Sequence, residues 1–190
     1  MNTQRVLSRA VQVTAFLFAA FGGFLKDFAP PDPSTTRFTL GIGSFFALFV
    51  LLWIAGYQRF RSRRSHRNLW LLVSAISIAI AGGIGYLYEW HLTSVTFIYP
   101  PQASGKTQQL YVGGDILTAD AKEYIAQTGR GVPETVAAFG GVEFLDRVWS
   151  ANSIRRSRLC LAIEYTILLL ALSTSIFSLT EGILVSDFGE

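Results

Sequence analysis

Residues 69–88 read LWLLVSAISIAIAGGIGYLY, twenty positions without one charged side chain. An α-helix rises about 1.5 Å per residue, so this run matches the ~30 Å hydrocarbon core of a bilayer. Residues 10–25, 38–57 and 159–180 share its character. The last holds a single acid, Glu164, and the first is short enough to need snorkelling polar ends or a thin local bilayer. Of the 190 residues, 51% are apolar and 15% charged, whereas a soluble domain carries about 25% charged residues. Core helices of a soluble protein are the rival reading. Four such runs in a chain of this length would leave almost no amphipathic element to cover them. The expected fold is therefore a mainly α membrane protein: four transmembrane helices with a small α+β domain between the third and fourth. In this division residues 1–90 carry the first three helices, 91–157 form the extramembrane domain, and 158–190 hold the fourth helix and a tail. The expected location is the cell membrane, crossed several times.

Arg5 and Arg9 ahead of the first apolar run also suit a secretory signal peptide. Leu25-Lys26-Asp27-Phe28 offers no small-x-small cleavage site, so the run reads as a retained helix. Arg59, Arg61, Arg63, Arg64 and Arg67 crowd one short loop between two apolar runs. Such a cluster is a topology anchor held on the cytoplasmic side, not a nucleic-acid surface. Arg5 and Arg9 agree with it, and both termini are then cytoplasmic. The loop 26–37, stiffened by Pro30, Pro31 and Pro33, and the domain 91–157 are extracytoplasmic. Arg155, Arg156 and Arg158, just before the fourth apolar run, oppose this orientation. The short loop outweighs them, because long loops translocate largely regardless of charge. The inverted orientation would put the domain in the cytoplasm. Trp53, Tyr57, Trp70, Tyr86, Tyr88 and Trp90 mark helix ends at the headgroup level, and Trp149 suits the same surface.

Within the domain, Thr93, Val95, Phe97 and Tyr99 alternate as in a strand that Pro100-Pro101 ends. A second strand over 108–112 closes at Gly113-Gly114-Asp115. Thr118 predicts an N-cap, with Asp120 and Glu123 in the first turn and Gly129 as the stop. Pro133 suits the first turn of a further helix ended by Gly140-Gly141. Phe144, Leu145, Val148 and Trp149 share a helical face, which reads as an amphipathic segment over 142–150 lying on the membrane. A domain this small is expected to lean on the bilayer or a neighbouring subunit.

Chemistry-bearing motifs are sparse. Ser104-Gly105-Lys106-Thr107 matches the end of a phosphate-binding loop, but Pro100 stands where the first glycine belongs and a strand follows in place of a helix. His66 and His91 are isolated, the single Cys160 forms no intramolecular disulfide, and no catalytic, cofactor or metal constellation emerges. Small residues recur four apart: Ala15, Ala19 and Gly23; Gly43 and Ala47; Ser77, Ala81 and Gly85. Such faces let helices approach closely, either between copies of the chain or within one bundle. Glu164 is the candidate intramembrane polar site: a proton- or ion-linked group, or a structural hydrogen-bond acceptor.

The stretch Ala138-Phe-Gly-Gly-Val-Glu-Phe-Leu-Asp-Arg-Val-Trp149, then Ser153-Ile-Arg-Arg-Ser-Arg-Leu159 and an apolar helix, resembles small multi-helix membrane effectors of bacterial defence systems over about a third of the chain. That resemblance implies a membrane-perturbing role switched on by a partner. The expected function is a non-enzymatic protein that self-associates in the bilayer and alters its permeability. The competing reading is an accessory or assembly subunit of a larger membrane complex, docking through 91–157. Its expected partners are the lipid bilayer and either further copies or other membrane subunits.

Overall fold

A computed structural model describes residues 67–101 and 108–187. The expected helices over 10–25 and 38–57, the arginine loop up to His66, and Ser104–Thr107 lie outside the described residues. So do Ala15, Ala19, Gly23, Gly43 and Ala47.

Among the described residues two long helices dominate. The first, α1, is Arg67–Val95, about 43 Å at 1.5 Å per residue. It runs beyond the apolar stretch that starts it, through Glu89-Trp90-His91 to Val95. Thr93 and Ser94 therefore belong to the helix, not to a strand starting at Thr93 as the alternation suggests. Their hydroxyls donate to the carbonyls of Trp90 (2.9 Å) and His91 (2.8 Å), and Thr96 donates to Leu92 (2.7 Å). Such bonds from Ser and Thr hydroxyls back onto the carbonyl of the preceding turn are common in helices. A hairpin follows: β1, Thr96–Tyr99, pairs antiparallel with β2, Gln109–Val112, with Phe97 opposite Tyr111 and Ile98 opposite Leu110.

Next come α2, Ala119–Thr128, and α3, Val132–Ala138, whose boundaries follow the local chemistry. Thr118 caps α2 through its side chain, Gly129 closes it in the left-handed conformation (φ 63°), and Pro133 sits in the first turn of α3. A 3-10 turn, Val142–Phe144, and a single helical turn, α4, Leu145–Val148, lead to α5, Ala151–Asp187. At about 55 Å, α5 begins well before its apolar stretch, so Arg155, Arg156 and Arg158 lie on its opening turns and not in a preceding loop.

The chain divides into two compact units. In one, Leu87–Ile163, the inner face of the hairpin meets the three short helices. Its core is Phe97, Ala121, Val136, Leu145, Val148 and Trp149, with Tyr99, Tyr111, Leu117, Val132, Phe139, Val142 and Ile154 packed around it. Trp149 is the centre: its ring lies 5.1 Å from that of Phe97, and Phe97 stacks on Tyr111 at 6.1 Å. The segment 116–118 straps down the 147–150 backbone: Thr118 N–H donates to Val148 O (2.9 Å) and Ser150 N–H to Ile116 O (3.0 Å). The amphipathic reading of 142–150 is thus corrected. Leu145, Val148 and Trp149 fill this core instead of facing lipid, and only Phe144 of that face is exposed. Periodicity marks an apolar face but not what covers it.

The other unit, over its described residues, pairs 67–86 with 164–187. Trp70 meets Phe177 edge-on and Leu71 approaches Gly182, while Ala81 packs with Leu168 and Ala171. The two segments therefore run antiparallel. Contact residues recur seven apart, as Ser74 and Ala81 on one side and Leu168, Ser175 and Gly182 on the other. That is the repeat of a left-handed helix pair.

Candidate functional site

A helix in water hides its apolar residues; these two show them. Asn68–Val95 and Ala151–Thr180 are long and apolar enough to cross a membrane, each containing an 18-residue stretch of mean hydropathy 1.9. Only 17% and 28% of their most apolar stretches are buried within the protein. A soluble core helix would bury most of that surface. Leu72, Ile76, Ile78 and Ile80 stand outward from α1, and Leu159, Ile163 and Ile167 from α5.

The buried stripe of α1 is the small one. Ser77 and Ala81 are buried, and a Cβ built on Gly85 would stand 3.8 Å from Leu168 Cδ1, an ordinary contact. Ala81 and Gly85 thus pack against Leu168 of the same chain. The same helix carries further small residues facing outward: Ala75, Ala79, Gly82 and Gly83 are exposed. A Cβ on either glycine would meet nothing within 4 Å. Arg67 is the first residue of α1 and the only member of the arginine cluster within the described residues.

Among the described residues, two buried serines of the pair bond to each other. Ser74 Oγ donates to Ser175 O (3.1 Å) and lies 3.2 Å from Ser175 Oγ, while Ser175 Oγ donates to Ser74 O at 3.3 Å. This double latch joins two helices where water is excluded, since both serines are buried. One turn on, Ser178 is fully buried and its hydroxyl has no hydrogen-bond partner among the described residues. Glu164 is half-buried on α5 and engaged in an interaction, as are Arg158, His91, Tyr88 and Tyr165.

The aromatic belt expected from the sequence is split. Tyr86 and Trp90 are exposed, but Tyr88 is completely buried and serves packing. Trp149, expected at the membrane surface, is the domain's core ring. Nothing local in the sequence announces that role; the only distant signal is Gly113-Gly114, whose lack of side chains leaves room for the indole.

One face of α5 changes character within a turn. Asn152, Arg155 and Arg156 are exposed, and the same face continues as Leu159 (58% exposed), Ile163 (49%) and Ile167. On the domain's hairpin, Ile98 and Leu110 sit opposite each other and both are exposed. Among the described residues no group of three or more His, Cys, Asp or Glu is placed to hold a metal ion. In comparisons with protein-family models, curated proteins and solved structures, no family, relative or structural neighbour matches the chain.

Proposed function

We propose that this chain is a non-enzymatic multi-pass membrane protein with four spans, which self-associates in the bilayer and alters its permeability. The carrying observation is the outward apolar surface of α1 and α5, whose exposed leucines and isoleucines need lipid or protein to cover them. The open small-residue face Ala75, Ala79, Gly82 and Gly83 supports association, because backbones approach closely where side chains are absent. Glu164 supports a polar path, as an acid held within an apolar helix. The domain is extracytoplasmic in this reading, and a role as a defence effector follows from the sequence resemblance alone.

The exposed Ile98–Leu110 pair favours a second reading, an accessory subunit that docks through its hairpin onto a larger membrane complex. One experiment separates the two. The full chain is purified in mild detergent, its mass measured by native mass spectrometry, and the protein reconstituted into dye-loaded vesicles. The first reading expects an oligomer of this chain and dye release. A monomer that releases nothing under any condition overturns it, and stoichiometric recovery of a different subunit selects the second.

A further inference from the structure

We propose that Arg155 and Arg156 bind the phosphate of anionic phospholipid headgroups at the boundary of the bilayer, an inference that rests on α1 and α5 spanning the membrane. The two arginines open the second turn of α5, adjacent in sequence and so about 100° apart around the axis. Both are exposed. The other arginines whose side chains are described are occupied: Arg130 donates to the Tyr124 hydroxyl (3.2 Å), Arg147 covers the Phe144 ring at 4.3 Å, and Arg158 is engaged. Arg155 and Arg156 have no ion-pair partner among the described residues. Asp115, in the segment whose next residue bonds Ser153, pairs with neither.

Their position fixes the ligand. Three residues separate Arg156 from Leu159, an axial distance of about 4.5 Å, and from Leu159 the exposed face is leucine and isoleucine. On α1 the exposed Trp90 precedes the stretch of exposed apolar residues in the same manner, read from the other end. With Leu159 at the edge of the hydrocarbon, the arginine stems lie along apolar surface and their heads reach the level of lipid phosphate. The planar guanidinium matches phosphate oxygens with two parallel hydrogen bonds, which an ammonium cannot do.

The test is tryptophan quenching in vesicles of zwitterionic phosphatidylcholine doped with dibrominated phosphatidylglycerol or, separately, dibrominated phosphatidylcholine. The wild-type full chain is expected to favour the brominated phosphatidylglycerol about fivefold, the order of effect of one basic residue at a membrane surface. Salt should weaken the preference. Arg155→Gln with Arg156→Gln should abolish it, Arg155→Lys with Arg156→Lys should keep part of it, and Arg130→Gln should leave it intact. A wild-type preference that survives the double glutamine change, or no preference at all in protein that resists alkaline extraction, overturns the headgroup site while leaving the spanning helices standing. Protein washed off by alkaline carbonate overturns the membrane reading itself.

Discussion

Glycine and aromatic residues do opposite jobs in the two units. In Leu87–Ile163 the rings of Phe97, Tyr111 and Trp149 turn inward and glycine appears where a side chain would collide. In the other unit, Tyr86 of α1 turns outward, and Gly82 and Gly83 border open space. The buried hydroxyls differ as well. Thr135 in the domain donates to the carbonyl of Gly131, just ahead of its own helix (2.8 Å), and Ser153 ties its helix to the strap at Ile116, whereas Ser74 and Ser175 bond from one long helix to the other. The contrast follows from the surroundings each unit needs. The domain gathers its apolar surface against itself, as water demands. The helix pair leaves its apolar surface outside and joins through small residues and hydroxyls, as lipid allows.

The sharpest break in the comparison is Trp149→Ala. It removes the central ring of the domain and should cost about 3–5 kcal/mol, enough to unfold so small a unit. Near-ultraviolet dichroism should collapse and proteolysis should open sites within 108–150, while far-ultraviolet helicity stays high because α1 and α5 hold most of the helical residues among those described. Intact near-ultraviolet signal with native protease resistance would show that the ring is not the keystone of this core.

A paired substitution then asks whether glycine means different things in the two units. A Cβ at Gly114 would collide with Ser153 Oγ and stand 2.9 Å from Trp149 Cβ, so Gly114→Ala should destabilise by about 1–3 kcal/mol. At Gly83 nothing stands within 4 Å, and Ala is the better helix former by about 1 kcal/mol. Gly83→Ala should therefore raise thermal stability or leave it unchanged. Equal losses at both sites, measured by thermal melts in one detergent, would erase the distinction.

The sequence makes local chemistry legible and long-range packing illegible. Thr118, Gly129, Pro133 and Gly140-Gly141 could be read because a cap or a positive-φ stop involves only a few consecutive residues. The helix ends could not, since hydropathy tracks apolar length while α1 and α5 continue as polar helix through His91 and from Ala151. Trp149 is hard to place from the sequence for a related reason. Its partners Phe97 and Gly113 are 52 and 36 residues away, and an aromatic residue ahead of an apolar run looks identical at a membrane surface and in a domain core. On the helices, the small residues are visible in the sequence but their allegiance is not. Ser77 is buried and Ala81 and Gly85 face α5, whereas Ala75, Ala79 and Gly83, with the same spacing, face outward.

The smallest expected effect is the most specific to the helix pair. Ser74→Ala and Ser175→Ala each remove one side of the latch, and the double change removes both. Hydrogen bonds between helices in lipid couple by about 0.6 kcal/mol on average and rarely above 1.7, because the unfolded chain in a membrane also finds partners. A double-mutant cycle in SDS-titration unfolding, followed through the fluorescence of Trp70 beside Phe177, should return a coupling in that range. Ser178→Ala supplies the internal reference. Its buried hydroxyl has no partner among the described residues, so the substitution removes an unmatched polar group and should be neutral or slightly stabilising. Zero coupling between Ser74 and Ser175 would mean that the pair is held by packing of Ala81, Leu168 and Ala171 alone. A loss at Ser178 equal to that at Ser74 would mean that the two hydroxyls share one environment, and the latch would no longer distinguish this pair from an ordinary small-residue contact.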